Sequence, residues 1–409
     1  MKLLFDPARH EALADIAWDE ARVRDFIAHI VSGTEAAYSP KGWWPQHPLD
    51  GDPAEDLSQA VPALYHGACG VCWALHYLQD VGAAKLQRNY LGRTAELLAR
   101  TDAWLGDEAP RQRASFLMGH TPIHLLACSA DVDAATADLL AGLIAGHLEH
   151  PARELMWGSP GSLLAALFLH ERTGDARWAV LFRATAARLW AQRLWSDEFG
   201  CHYWEQEMFG RRSTYLDAVH GFVATALPLI RGRALLDAAD WAAWQTCIET
   251  TVARTATREG GLVNWRAWLV APPGKGLLMQ YCHGAPGFVV CLAGLPGQAL
   301  DELLLAAGET TWAAGPLRKG ANLCHGTGGN GYAFLKLYQR TGDAMWLQRA
   351  RAFAMHGIAQ TQAHERQHGQ LRHSLWTGDP GFAIYLWDCL QAQARFPTLD
   401  MYYGGGAAA

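Results

Sequence analysis

Two Cys-His pairs are the residues of this chain best suited to chemistry. QYCHGAPG contains Cys282 and His283, and NLCHGTGG repeats the pattern 42 residues later with Cys324 and His325. Thiolate sulfur and imidazole nitrogen are ligands that suit zinc. Four protein ligands would close the metal shell, whereas three would leave a position open for a substrate. The spacing matches no zinc finger and leaves both possibilities open, beside the alternative of ordinary buried core residues.

The elements that position these pairs belong to a repeat. Each copy has a Gly, two further residues, a second small residue or Pro, and then a mainly apolar run. The first glycines of the seven copies are Gly67, Gly119, Gly158, Gly221, Gly284, Gly326 and Gly378. The intervals of 39 to 63 residues hold one helix out and one helix back, and amphipathic stretches lie between the apolar runs.

This repeat predicts an all-α protein, an α/α toroid with seven inner and seven outer helices. Inner helices that are apolar all round must shield one another, and ring closure achieves this. We expect the first Gly of each turn to adopt a positive φ and the second to allow close backbone approach. All seven turns then meet at one end, where His66 and His220, each just before its first Gly, join the Cys-His pairs.

Bulk composition narrows the class of protein. The chain has 409 residues, of which 50% are apolar, with a net charge of −6 and nine Cys. The acidic balance argues against nucleic-acid partners, and we expect no membrane partner. Asp6 and Glu11 interrupt the place where a signal peptide needs an apolar run, so a cytoplasmic protein is expected. A disulfide framework is not expected in such a chain.

The predicted organisation has three parts. Residues 1–60 form an N-terminal helical segment and a draping loop, residues 61–400 form the seven-repeat barrel, and residues 401–409 form a flexible tail. The spacing Cys69-Gly-Val-Cys72 matches a redox motif, but its place at the first turn favours core packing.

The amino-acid sequences of these turns resemble those of the lanthionine synthetase C (LanC)-like family. The resemblance is closest to the stand-alone, glutathione-binding members. The matching segments are AVHG (218–221), YCHGAPG (281–287) and LCHGTGGNGYAFL (323–335), with LYHGACG at the first turn and ARFP (394–397) near the C-terminus. The resemblance implies an α/α toroid that binds zinc and adds a Cys or glutathione thiol to dehydroalanine or dehydrobutyrine in a peptide or protein. It thereby implies thioether formation by conjugate addition.

The resemblance also implies roles for individual residues. Cys282, Cys324 and His325 would bind zinc and leave a fourth position open, and His325 is counted among the catalytic residues as well as the ligands. His220 maps to a histidine that transfers a proton. Lys319, in RKGANLCHG, resembles a lysine that the family offers to glutathione.

Further histidines of the turns, His66, His120 and His283, are expected to contact the substrate. The chain also departs from the family pattern. In the second turn, GHTP has His120 and Pro122 where relatives often have an acidic residue and a Gly. GSPG in the third turn lacks the acidic or basic residue of some relatives, and Ala224 replaces the second Gly of the fourth turn. An arginine that cyclases carry before the first metal cysteine has only Lys275 as its nearest substitute. These departures concern the proton-transfer residues rather than the predicted zinc ligands.

Two other functions compete with thioether formation. A scaffold would bind zinc and glutathione without turnover. An α/α-toroid carbohydrate enzyme would need a pair of carboxylates at the mouth. The turns offer only Asp217 and Asp379, without an evident partner pair, so this is the weakest of the three.

Overall fold

The fold is described by a computed structural model of residues 4–51, 57–129 and 131–404. Most of the tail predicted to be flexible, residues 405–409, lies outside the described residues. In chain order the α-helices are α1 (Glu20–Ala37), α2 (Ala68–Asp80), α3 (Thr94–Leu105), α4 (Ala109–Gln112), α5 (Thr121–Ala127), α6 (Ala134–Gly146), α7 (Ser159–Thr173), α8 (Ala176–Ala191), α9 (Phe222–Arg231), α10 (Ala238–Thr255), α11 (Ala285–Leu292), α12 (Asp301–Ala314), α13 (Thr327–Thr341), α14 (Ala344–His368) and α15 (Asp379–Gln391). Short 3₁₀ helices cover Pro7–Arg9, Leu91–Arg93, Gly106–Glu108 and Arg233–Leu235.

The helices form two concentric rings. The inner ring is α2, α5, α7, α9, α11, α13 and α15, in which each helix packs on the next and α15 packs on α2. The outer ring is α1, α3, α6, α8, α10, α12 and α14. The predicted α/α toroid is therefore confirmed. Among the described helices, none combines the length and apolar character needed to cross a bilayer.

Helix α1 closes the outer ring, although it stands before the first Gly turn in the sequence. It packs on α15, the last inner helix, which no outer helix follows among the described residues up to 404. Val23, Ile27 and Ile30 are buried at helical spacing, and the Asp19 carboxylate caps the helix by accepting the Arg22 N–H at 3.1 Å. The two ends of the chain thus meet in one helical pair.

Three short hairpins add β-structure to the helical rings. They pair β1 (Leu194–Ser196) with β2 (Cys201–Tyr203), β3 (Gln206–Met208) with β4 (Arg211–Ser213), and β5 (Ala256–Glu259) with β6 (Leu262–Trp265), all antiparallel. They fall in the two longest intervals of the repeat, 63 residues each. The extra length of those intervals is therefore used for hairpins rather than for longer helices.

The first glycines work differently from the expectation of a positive φ. Five of them have φ between −139° and −107°, and Gly284 alone among the seven has a positive value, 121°. The prediction of a left-handed turn was therefore wrong except at Gly284. The physical reason for the glycine is space, since a Cβ on Gly326 would lie 2.5 Å from the carbonyl oxygen of Gly320.

The second glycine of the turn lets the chain fold back on the helix that follows it. A Cβ on Gly329 would lie 1.8 Å from the Leu323 carbonyl oxygen. The Thr327 amide donates to the Gly320 carbonyl at 2.8 Å, and the Gly329 amide donates to Asn322 at 3.2 Å. At this turn the preceding backbone thus caps the first amides of the inner helix, and the predicted close approach is present.

Several neighbouring turns are joined by backbone hydrogen bonds through the residue two positions before the first Gly. The Cys282 amide donates to the Cys324 carbonyl at 2.9 Å, Cys324 donates to Trp376 at 2.8 Å, and Trp376 donates to Tyr65 at 2.9 Å. Side chains at equivalent positions of successive repeats are therefore held side by side at one end of the toroid.

Candidate metal centre and adjacent histidines

The turns before α11 and α13 bring together three side chains of the kinds that can bind a metal ion. The ligand atoms of Cys282, Cys324 and His325 all lie within 4.8 Å of one another. Both cysteines are buried, at 6% and 3% exposure, and His325 is half-buried. The two sulfurs converge because their residues hold the same position in adjacent turns, and the His325 amide is fixed by donating to the Asn322 Oδ1 at 2.9 Å.

Each sulfur accepts a hydrogen bond from a polar side chain outside the cluster. The Tyr65 hydroxyl donates to the Cys324 Sγ at 2.8 Å, and the Gln280 Nε2 donates to the Cys282 Sγ at 3.0 Å. A hydrogen bond from Cys282, opposed by burial, holds the pKa of Cys324 well below its usual range. Burial raises the pKa of Cys282.

This donor set fits a thiophilic divalent ion. Two sulfurs and one imidazole nitrogen are the ligands expected for zinc, and three protein ligands are the number found in sites with an open position. The hydrogen bonds to both sulfurs are the outer-shell contacts that orient such ligands.

Replacing Tyr65 with Phe is expected to weaken metal binding by about tenfold, because an outer-shell partner of Cys324 is lost. A competition titration with a chromophoric chelator would measure the change. Tyr77→Phe is the matched control, since the Tyr77 hydroxyl is buried without a hydrogen-bond partner among the described residues. Equal metal affinities in the two variants would contradict a role for the Tyr65 hydroxyl.

A chain of two hydrogen bonds links Arg9 to the first cysteine through Gln280. The Arg9 Nη2 donates to the Gln280 Oε1 at 3.0 Å, and Gln280 donates in turn to Cys282. Lys275, the nearest cation in the sequence, is exposed. Arg9, from the N-terminal segment, is thus linked to Cys282 through Gln280.

A histidine–carboxylate pair lies between the third and fourth turns. The His220 Nδ1 is 2.8 Å from the Glu154 Oε2, the carboxylate is fully buried, and 23% of the histidine side chain remains exposed. Burial disfavours the charged imidazole, but the hydrogen bond and charge of Glu154, aided by Asp217 and Cys324, prevail and raise the pKa of His220 to about 9. His220 is therefore protonated at neutral pH.

Glu154 supplies the acid that the GSPG turn itself lacks. It stands four residues before Gly158 and accepts the backbone amides of Met156 (2.9 Å) and Trp157 as well as His220. Its carboxylate thus both shapes its own turn and contacts the next turn. Glu154 lies outside the GSPG segment, so the residues of that segment alone do not identify it.

His283 forms a second pair of the same design. Its Nδ1 is 2.7 Å from the Asp217 Oδ2, while the Asp217 Oδ1 accepts the His220 amide at 2.7 Å. The rings of Tyr215 and Trp268 lie nearly parallel to the imidazole, with centroids 6.4 and 6.2 Å away. His283 is therefore turned toward Asp217, and it is absent from the cluster of three metal-binding atoms.

The remaining predicted residues lie around this centre with different surroundings. His66 lines a small cavity with Trp44 and Asp50, and its Nδ1 has no hydrogen-bond partner among the described residues. His120 follows Gly119 and lies 2.9 Å from the Asp102 Oδ1 of α3. Its imidazole is thus directed to the outer ring, whereas the turn residues above face their neighbours.

Lys319 lies on the other side of the centre, in the loop before the NLCHGTGG turn. It is exposed and lines a cleft with Asn322, Arg372 and Thr377. The Arg372 guanidinium is paired with Asp50, with 2.6 Å between Nε and Oδ2. Asp50 thus forms its ion pair with Arg372. Lys319 is a second cation that lines the same cleft.

Other candidates from the sequence have structural surroundings. Cys69 and Cys72 are fully buried, and burial raises the pKa of both thiols, which favours core packing over a redox role. The Asp217 carboxylate binds His283, and the Asp379 Oδ2 accepts the Arg372 amide at 2.7 Å. The Asp217 carboxylate thus links the fourth turn to the fifth, whereas the Asp379 carboxylate stabilises its own turn.

The toroid with a Cys₂His cluster at its turns defines a class that the sequence comparisons identify. A family model for lanthionine synthetase C-like proteins matches residues 58–401. The chain belongs to the lanthionine synthetase C-like family.

Individual relatives match over shorter segments. The chain is 37% identical over 133 residues to "Glutathione S-transferase LANCL1" of Danio rerio and 35% identical over 137 residues to "LanC-like protein GCL1" of Arabidopsis thaliana. These segments cover 31% and 30% of this chain, and 32% and 30% of the relatives, so about a third of either curated relative is spanned.

A solved structure extends the likeness in fold to nearly the whole chain. A structure titled "Nisin cyclase" superposes with a TM-score of 0.58, covering 93% of this chain and 97% of that one at 14% identity. At this identity the match establishes the shared fold.

Proposed function

We propose that the protein is a zinc-dependent enzyme that adds a thiol, from a peptide Cys or from glutathione, to dehydroalanine or dehydrobutyrine in a peptide or protein. The observation that carries the proposal is the buried Cys282–Cys324–His325 cluster, which stands beside a protonated histidine held by Glu154. The names of the relatives, a glutathione S-transferase and a cyclase, agree with this chemistry.

The metal centre would prepare the nucleophile. Zinc, when bound, lowers the pKa of an incoming thiol so that the sulfur is a thiolate at neutral pH. Cys282, Cys324 and His325 would hold the ion. Tyr65 and Gln280, by donating to the two protein sulfurs, would keep those sulfurs in place while the substrate sulfur reacts.

The proton balance of the addition points to His220. The thiolate sulfur bonds to the β-carbon of the alkene, and the alkene electron pair moves toward the carbonyl to give an enolate. A proton must then reach the α-carbon, and a protonated imidazole is a suitable general acid. With a pKa raised to about 9 by Glu154 despite burial, His220 carries this proton at neutral pH. The proton released from the thiol restores the imidazolium, so no other reactant is consumed.

The substrate's anionic groups would meet Lys319. Glutathione carries two carboxylates at neutral pH, and an exposed lysine beside the buried amide of Asn322 suits one of them. The Asn322 Nδ2 has no hydrogen-bond partner among the described residues. His66, His120 and His283 are proposed to contact the peptide or thiol around the mouth.

The proposal is tested by incubating the zinc-loaded protein with glutathione and a peptide that contains one dehydroalanine. We expect mass spectrometry to detect a product heavier by one glutathione molecule, formed faster than in a reaction without protein. A protein that binds zinc and glutathione but forms no adduct, and that closes no ring in a dehydrated peptide with its own Cys, would instead be the non-catalytic scaffold.

A further inference from the structure

A second cleft lies on the turn end of the toroid, at its second and third turns. It has a volume of about 510 Å³. Its aromatic walls are Trp104 at the end of α3, Trp157 in the third turn and Phe209 at the tip of the β3–β4 hairpin. Trp104 and Trp157 are stacked with ring centroids 6.5 Å apart, and Phe209 meets Trp157 edge-on at 6.1 Å.

The Glu154 carboxylate connects a wall of the cleft to the proposed acid. Trp157 directly precedes Gly158, just as His220 directly precedes Gly221. The Glu154 carboxylate accepts the backbone amide of Trp157 with one oxygen and bonds His220 with the other. A chain seated against Trp157 is therefore one turn away from the histidine that would protonate the product.

Phe209 is an exposed aromatic residue in a strained conformation. It has φ of 52°, followed by Gly210 at 69°, as in a type I′ hairpin turn, where Asn or Gly is favoured. A bulky residue is a rare choice for this region, and Phe209 as a whole residue is 83% exposed. The hairpin is anchored beside the third turn, since the Glu207 amide donates to the Pro151 carbonyl at 3.0 Å.

The floor of the cleft carries an unpaired donor and an unpaired acceptor. His150 lines the cleft and is 8% exposed. Its Nδ1 accepts the Ala152 amide at 3.3 Å, and burial lowers the pKa of His150 to about 4, so the hydrogen of the neutral ring is on Nε2. This Nε2 and the Oε1 of Gln112, another lining residue, have no hydrogen-bond partners among the described residues.

Unsatisfied buried polar atoms call for a partner. One donor and one acceptor match the carbonyl and N–H of a peptide group, and stacked aromatic walls match an aromatic or large apolar side chain. A small free electrophile would use neither feature, which favours a polypeptide as the occupant.

We propose that the Trp104–Trp157–Phe209 cleft binds an aromatic or large apolar residue of the polypeptide that carries the alkene, with His150 and Gln112 bonding its backbone. This inference rests on the proposed function and specifies its substrate, because the residue in the cleft would set which site of a polypeptide reaches His220.

The test measures binding without turnover, so its failure is distinct from failure of the thiol addition. The zinc-loaded protein is titrated into a short peptide of Gly and Ser residues with one central 4-fluorophenylalanine and no dehydroalanine, followed by ¹⁹F NMR. Trp104→Ala and Phe209→Ala are expected to weaken binding about tenfold each, as for aromatic residues that dominate an interface. Trp195→Ala is the matched control, because Trp195 is 53% exposed on β1 and does not line the cleft.

A competition experiment tests which features of the probe the cleft recognises. An unlabelled Phe peptide should displace the probe, whereas its Gly counterpart and 4-fluorotoluene, which has the ring without an amide, should displace it at least about tenfold less well. Equal binding by all three variants, or equal displacement by the Gly peptide, would overturn the proposal. Displacement by 4-fluorotoluene as efficient as by the Phe peptide would overturn recognition of a polypeptide.

Discussion

Cys324→Ala is expected to abolish stoichiometric metal binding and to lower the rate of thiol addition by at least about a thousandfold. Metal-ion catalysis supplies several kcal/mol of stabilisation, and each ~1.4 kcal/mol is a factor of ten in rate. The variant loses one of two sulfurs in the cluster and the acceptor of the Tyr65 hydroxyl. The remaining two protein ligands are fewer than any zinc site of this kind uses.

The matched control is Cys291→Ala, which also removes a thiol that is 3% exposed, from the first inner helix after the metal turn. Zinc content of the purified protein and adduct formation by mass spectrometry are the two measurements. We expect Cys291→Ala to retain both, apart from a modest loss of stability. Zinc retained at full stoichiometry in both Cys282→Ala and Cys324→Ala would refute the ligand assignment itself.

His220→Asn is expected to lower turnover by about 10²–10⁴-fold, the contribution typical of a positioned general acid. Zinc content should not change, because His220 is not among the three clustered ligands. Asn keeps a polar side chain near Glu154 but cannot deliver a proton. A His220→Asn enzyme with turnover within a factor of about three of the wild type would remove His220 from the mechanism.

The Glu154→Gln variant tests whether turnover depends on the raised pKa of His220, because it keeps the imidazole and removes the neighbouring carboxylate. Without the carboxylate, the pKa of His220 should fall from about 9 toward or below its ordinary value, so the acid form is lost at lower pH. Turnover of the variant should approach that of the wild type near pH 6 and fall below it by pH 8. Glu149→Gln is the control, because Glu149 is an exposed partner of Arg188 on the outer ring.

The same pair makes a pH-dependent contribution to stability. A folded-state pKa of His220 above the unfolded value of about 6.5 stabilises the fold most below pH 6.5 and progressively less as pH rises through about 9. Urea unfolding should therefore show a smaller difference between wild type and Glu154→Gln at pH 9.5 than at pH 6. A constant difference across that range would contradict a charged His220 in the folded state.

Much of the architecture could be predicted from the sequence, because its causes are local and repeated. Position 329 requires glycine because no space is left for a Cβ beside its own turn. The repeated glycine pattern therefore indicates where the inner helices begin. The repeat also predicts that Cys282 and Cys324 are neighbours, since they hold the same position in successive units. The positive φ expected for the first glycines failed because close packing, rather than left-handed geometry, is what excludes a Cβ there.

The tertiary structure alone decided which side chains serve the cluster and the histidines. Glu154 reaches His220 across 66 residues, Tyr65 reaches Cys324 across 259, and Arg9 reaches Gln280 across 271. No spacing rule links such positions, because packing of the third turn on the fourth brings Glu154 to His220, and ring closure brings the first turn and the N-terminal segment beside the later turns. The sequence by itself determined the toroid and the register of its candidate ligands. The residues that set the charge and orientation of these side chains followed only from the tertiary packing of the turns.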